Sequence, residues 1–144
     1  MAETIDFVDH RGRLLFPIKG DFQVVDSTVS INKKYVFRGI HFNNFEKLIT
    51  CIHGEIIDIV VDPQTLSCKY YHLFPGMQVR VPPGYGHGFL CLVDDSILLY
   101  HLAGDFSIDK TKFMHYSNIN LDLRRYGVTP QDLVMSESDS RKDI

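Results

Sequence analysis

The sequence predicts an all-β domain, a sandwich or barrel with one short helical segment near its C-terminus. Short runs rich in aromatic and β-branched residues recur at roughly 8 to 12 residue intervals. Glycine, proline and aspartate turn signals separate them. A helix-start signature occurs only near the end. At 144 residues the chain is the size of one ordinary domain and long enough to bury a core. The reading is a single domain over 1–144, with the barrel core at about 24–107 and a C-terminal segment at 108–144.

Residues 35–42 form the first clear run. Residues 48–61 are a long apolar stretch broken once, at His53-Gly54-Glu55, and read as two strands joined by a tight turn. Strands are expected next at 70–74, 77–81, 88–93 and 96–102, divided by Pro-Gly, Pro-Pro-Gly-Tyr-Gly and Asp-Asp. Thr129-Pro130-Gln131-Asp132 resembles an N-cap followed by proline at the first helical position. The last residues, SESDSRKDI, are polar and on composition read as a loose tail.

Composition narrows the function. Hydrophobic residues make up 44% and charged residues 23%, which argues against disorder. A net charge of −3 without a Lys/Arg block makes nucleic acid a poor partner. No apolar run reaches the roughly 20 residues of a membrane span. The start, MAETIDFVDH, lacks a basic segment followed by an apolar one, so no secretory leader is expected. Cys51, Cys68 and Cys91 are odd in number and include no CxxC pair, which fits reduced thiols in a cytoplasmic protein.

The stretch GMQVRVPPGYGHGF, residues 76–89, carries the most specific signal. Its glycine, five residues, proline, one residue, glycine, two residues and histidine follow the spacing of the second signature motif of cupins, small jelly-roll-like β-barrels. Gly76 allows the turn into a strand, and Pro82, Pro83 and Gly84 reverse the chain so that His87 opens the next strand at the barrel mouth. Many cupins bind a metal through His-x-His, a glutamate and a third histidine. Here the first motif reads His41-Phe42-Asn43 with Glu46 following, and its second histidine is missing. A metal needs three or four well-placed ligands, so neither metal nor other cofactor is expected.

Without a metal, the residues available suit proton chemistry. Imidazole serves as a general base near neutral pH, and a lysine ammonium stabilises an enolate oxygen. Arginine grips a diphosphate in bidentate fashion, and a tyrosine hydroxyl can return a proton to the opposite face of a carbanion. Together they describe epimerisation at a carbon beside a ketone.

RGIHF, then KLITCIHGEIIDIVVD, then VPPGYGHGF, then ILLYHLAGDFS, closely resembles the dTDP-4-dehydrorhamnose 3,5-epimerase family of non-metal cupins. The similarity is ordered and covers about residues 26–107. The resemblance implies a catalytic base at His41, an enolate-stabilising lysine at Lys47 and a proton-donating tyrosine at Tyr100. It implies that Arg38 holds the nucleotide diphosphate, that His87 lies beside the sugar, and that Asn43 is a further substrate contact. The family's base is oriented by an aspartate in a stretch resembling LSxKD; MSESD, residues 135–139, fits, which makes Asp139 the candidate. DHRGRLLF resembles a D-x-RG segment whose arginine, here Arg11, reaches the partner subunit's site, so a homodimer is implied.

One geometric condition follows from the pleat. Residues three apart in a regular strand point to opposite faces, so Arg38 and His41 both face the cavity only if the strand is distorted. Gly39 between them permits a bulge. The departures from the family pattern bear on specificity. Phe16 stands where a glutamate is usual, Asp105-Phe106 replaces a second tyrosine, and the loop from His41 to Lys47 is short.

The expected function is therefore an isomerase, an epimerase of a nucleotide-linked 4-keto-6-deoxy sugar, dTDP-linked by the resemblance. A 3,4-ketoisomerase or a 3-epimerase on the same substrate class competes with it. So does a non-catalytic sugar-nucleotide-binding cupin, against which His41, Lys47 and Tyr100 together argue, and third, a metal-dependent cupin enzyme.

Overall fold

Two five-stranded antiparallel sheets face each other in the computed structural model, which describes residues 3–4, 6–18, 20–107 and 110–142. The strands are β1 (Glu3–Thr4), β2 (Asp6–Asp9), β3 (Gly12–Leu15), β4 (Asp26–Asn32), β5 (Phe37–Phe42) and β6 (Lys47–His53). They continue with β7 (Ile56–Val61), β8 (Cys68–Leu73), β9 (Met77–Val81), β10 (Gly86–Cys91), β11 (Ser96–Leu102) and β12 (Lys112–Phe113). The first sheet runs β1-β9-β6-β11-β4 and the second β12-β5-β10-β7-β8; β2 and β3 form a separate hairpin. From β4 to β7 the chain crosses between the sheets at every connection, as a jelly roll requires. The sheets do not close on each other, so the expected barrel is a two-sheet jelly roll.

The apolar run IIDIVV of β7 is continuous because both its faces are buried. Ile56 and Val60 point between the sheets, into a core with Ile49, Val79, Val81, Phe89 and Leu98. Ile57, Ile59 and Val61 point the other way, against Phe37, Ile40, Leu90, Ile119, Leu123 and Val128. The last three belong to the C-terminal segment, which lies over the outer face of the second sheet. Burying a side chain such as Phe37 contributes roughly 1.5–3 kcal/mol. Reversal between β6 and β7 uses Gly54 at φ +88, where a Cβ would meet Ser96 Oγ at 2.4 Å.

The C-terminal helical expectation holds as short 3-10 turns, at Tyr116–Asn118, Arg124–Tyr126 and Pro130–Asp132. The last has the expected N-cap: Thr129 N–H and Oγ1–H both donate to Asp132 Oδ2, at 2.9 and 3.0 Å. β4 is a strand the sequence does not announce, since DSTVSIN lacks an apolar face pointing inward. Its inward residues are Thr28, Ser30 and Asn32, because this edge of the first sheet lines the polar end of the space between the sheets.

Candidate active site

A local irregularity in β5 builds the site. Residues directly opposite in an antiparallel pair share a face. On β10, His87 stands opposite His41 and Phe89 opposite Arg38, with a register shift between them. Gly88 alone therefore faces two residues of β5, Gly39 and Ile40. This bulge restores the parity that a regular strand would break, so Arg38 and His41 lie on the same inward face as His87 and Phe89. Gly39 has φ +125, in the left-handed region that favours glycine, and the Gly39–Ile40 peptide is cis. The geometric condition set by the sequence is met.

The bulge also turns the Gly39 N–H toward the C-terminal segment, where it donates to Asp139 Oδ2 at 3.1 Å. The other carboxylate oxygen, Oδ1, lies 2.7 Å from His41 Nε2. Asp139 is buried, and its own N–H donates to Ser136 Oγ. Of the polar residues read by composition as a loose tail, 136–142 are thus docked through Asp139, the residue that the resemblance singled out, while 143 and 144 lie outside the described residues. With Nε2 committed to the carboxylate, Nδ1 is the His41 nitrogen left to accept a proton. The Phe113 ring packs against the imidazole at a centroid distance of 4.5 Å and fixes its plane.

A second histidine–carboxylate pair lies beside the first. His87 Nε2 is 2.6 Å from Asp58 Oδ1, and both side chains are buried. The second Asp58 oxygen has no hydrogen-bond partner among the described residues. Sequence reasoning passed over Asp58, although it is the single charge within the apolar run IIDIVV. A lone carboxylate at an inward position of a buried strand is the signal that would have found it.

The first sheet contributes the remaining groups. Lys47, at the start of β6, is 5% exposed, and its ammonium donates to the His41 carbonyl at 3.4 Å. Burial pulls its pKa down to about 8, partly opposed by the negative charge of Asp58. Tyr100 on β11 packs edge-on to His87 and Phe89, and burial holds its phenol above the ordinary tyrosine value, so it stays protonated at neutral pH. Its hydroxyl shares a 3.0 Å hydrogen bond with Ser30 Oγ. Ser30 accepts from Asn32 Nδ2 at 3.0 Å, and Asn32 Oδ1 accepts from Arg38 Nε at 2.8 Å. Arg38 and Tyr100 are thus joined across the two sheets through Asn32 and Ser30, two residues that polar strand composition alone could not single out.

The other candidates divide. Asn43, just past the end of β5, is 4% exposed; its Nδ2 donates to Thr111 Oγ1 while its Oδ1 has no partner among the described residues. Arg11 is not brought to the cavity: it sits at the tip of the β2–β3 hairpin with its side chain 78% exposed and paired with Asp9. Glu46, weighed as a metal ligand, pairs with Arg80 at 3.3 Å. Among the described residues no cluster of three or more His, Cys, Asp or Glu is placed to hold a metal ion. Burial pushes the Cys51 and Cys91 thiols up to about 12, which makes them packing groups and not nucleophiles.

Beyond His87, its strand neighbour Val60 lines a depression of about 300 Å³ with Lys69, Tyr71, Arg80, Pro82 and Tyr85. No described helix is long and apolar enough to cross a membrane.

The arrangement therefore offers a carboxylate-held imidazole on one sheet, a protonated phenol on the other, and a buried ammonium that reaches from the phenol's sheet to the His41 carbonyl. A family model described as dTDP-4-dehydrorhamnose 3,5-epimerase matches residues 9–143. A protein of that name from Streptomyces griseus is 28% identical over 159 residues, covering 96% of this chain and 78% of that protein. A dTDP-4-dehydrorhamnose 3-epimerase from Streptomyces niveus is 28% identical over 109 residues, with 67% of this chain and 52% of that protein covered. Among solved structures, dTDP-4-dehydrorhamnose 3,5-epimerase from Bacillus anthracis, with TDP and PPi bound, superposes with a TM-score of 0.80 at 25% identity. That likeness covers 96% of this chain and 90% of the other.

Proposed function

The chain belongs to the dTDP-4-dehydrorhamnose 3,5-epimerase family, and from that premise we propose that it epimerises a nucleotide-linked 4-keto-6-deoxy sugar, dTDP-linked as in the relatives. The observation that carries the reading is the placement of His41 and Tyr100 on opposite sheets with Lys47 buried beside the base. In this mechanism His41, held by Asp139, removes the proton from a carbon adjacent to the C4 ketone. Lys47 donates to the enolate oxygen as negative charge develops there. Tyr100 then delivers a proton from the opposite side, which inverts the carbon. Arg38 holds the diphosphate, His87 with Asp58 lies against the sugar, and the Asn43 Oδ1 accepts from a substrate hydroxyl.

A second reading, inversion at C3 alone, is favoured by one observation. Phe106 stands where the family resemblance expects a second tyrosine, and its ring has no hydroxyl to offer; its backbone N–H donates to Asp26 Oδ2. Incubation with dTDP-4-keto-6-deoxyglucose, followed by borohydride reduction and sugar analysis, tests both. Reduced products inverted at C3 and C5 support the first reading and inversion at C3 alone the second. Recovery of only uninverted sugars contradicts both.

The working form is a homodimer in this reading. Phe7 and Val8 are adjacent in β2 and point to opposite faces, yet are 68% and 66% exposed, so each face of the hairpin presents an apolar side chain that its own chain leaves uncovered. Val29 and Ile31 expose an apolar edge on the outer face of β4. A second copy would cover both and bring Arg11 toward its partner's cavity, as the resemblance implies. Light scattering is expected to give twice the chain mass, and Ile31→Lys to shift it toward the monomer. A monomer at all concentrations would contradict the dimer.

A further inference from the structure

We propose that Gly88 is a positioning residue: its missing side chain lets β10 touch the β5 bulge, and so keeps Arg38 and His41 on one face and the Gly39 N–H on Asp139. The inference rests on the role given to His41 above. The contact is backbone against backbone. A Cβ on Gly88 would lie 2.8 Å from the Arg38 carbonyl oxygen and 2.6 Å from Ile40 Cδ1. In reverse, a Cβ on Gly39 would lie 2.7 Å from Gly88 Cα and 2.8 Å from the His87 carbonyl oxygen. Neither approach leaves room for a methyl group, and a carbonyl cannot swing aside as a side-chain end can.

A side chain at position 88 must therefore push β5 away at the point where two residues face one. Three groups depend on that point. Arg38 precedes the bulge and reaches Asn32; Gly39 supplies the N–H that holds Asp139; His41 follows and takes the other carboxylate oxygen. Displacing the bulge separates the base from its carboxylate and the arginine from the diphosphate site in one step. The His87–Asp58 pair is anchored on the β7 side of β10, where each residue from Gly86 to Cys91 keeps a regular partner. It is expected to survive.

Gly86→Ala is the control. Gly86 lies on the same strand and face, but the atoms nearest to a Cβ there would belong to side chains, the Phe42 ring at 2.6 Å and Ile40 Cγ2 at 2.8 Å. It loads the packing without touching the bulge backbone. The readout is the imidazole N–H proton spectrum, since short hydrogen bonds to carboxylates carry their protons far downfield. The wild type is expected to show two such resonances, one from each histidine–aspartate pair, with Asp139→Asn identifying the His41 signal; the third short pair, His72 Nε2 with Glu55 Oε2 at 2.6 Å, lies at the surface, where its proton exchanges with water.

Gly88→Ala is expected to lose the His41 resonance and keep that of His87, to bind dTDP about tenfold more weakly, and to lower kcat about 100-fold, the scale of a misplacement near 1 Å. Gly86→Ala is expected to keep both resonances. If Gly88→Ala unfolds, Ile40→Val/Gly88→Ala removes the side-chain clash and leaves the carbonyl clash, and the same readouts apply. A folded Gly88→Ala that keeps both resonances and wild-type dTDP affinity overturns the inference, as does a folded variant that loses both. If the wild type turned over no 4-keto sugar, the functional reading would fall while the resonances still decided the role of Gly88.

Discussion

Replacing His41 with asparagine is expected to lower kcat by about 10²–10⁴-fold, the usual scale for losing a positioned general base, while KM and fold change little. The asparagine amide can still donate to Asp139, so the buried carboxylate keeps a partner and the C-terminal segment keeps its dock. What disappears is the basic ring nitrogen. Asp139→Asn is expected to cost a comparable amount, because an amide whose oxygen keeps the Gly39 N–H turns its NH2 toward Nε2 and leaves the imidazole proton on Nδ1, the wrong tautomer for a base. Steady-state kinetics with the 4-keto sugar, together with an unfolding curve for each variant, separates these effects. A His41→Asn enzyme that turns over at the wild-type rate would remove this residue from the mechanism.

Lys47→Met should cost about 10²–10³-fold in kcat, the range seen when one donor to a developing oxyanion is deleted. The methionine fills much of the buried volume but offers no proton to the enolate oxygen. In the wild type the same residue sets a pH limit. Its ammonium is the active form, and burial has brought its pKa from 10.5 to about 8. Activity is therefore expected to fall as pH rises through about 8, and the residual activity of Lys47→Met to lack that limb. Stability runs in the opposite sense. Because the folded value lies below the unfolded one, the cost of burying the charge is fully present below pH 8 and is relieved between about 8 and 10.5. A wild-type kcat that stays flat to pH 10 would show that the Lys47 charge is not used in turnover.

Much of this site could be read before the fold. The spacing that ends in His87, the RGIHF strand with Lys47 after it, and Tyr100 in ILLYHL each carry a chemical signal in a short stretch of sequence. The bulge could be stated only as a condition, since strand parity shows that Arg38 and His41 conflict but not how the conflict is settled. Its resolution depends on Gly88, nearly fifty residues further on and silent in itself. Asp58 was hidden for a similar reason: its meaning comes from His87 across the sheet. Ser30 and Asn32 belong to a strand whose inward face is polar, so the alternation that marks other strands is absent there. Asp139 shows the limit of composition, because a polar segment held by one carboxylate has the same residues as an unheld one. Arg11 stays apart from the cavity within its own chain, and only the proposed dimer would give it a part in the site.

The central claim is that a proton leaves a carbon beside the ketone on the His41 side and another returns from Tyr100. Proton NMR in D2O with dTDP-4-keto-6-deoxyglucose tests it most directly, on the wild type and on Tyr100→Phe. The wild type is expected to place deuterium at each carbon it inverts, at C3 and C5 for the 3,5-epimerase and at C3 alone for the second reading. Tyr100→Phe is expected to keep washing deuterium into recovered substrate while inversion falls by about 10²-fold or more. Inverted product that carries protium at the inverted carbon, or a Tyr100→Phe enzyme that inverts at the wild-type rate, would contradict the account.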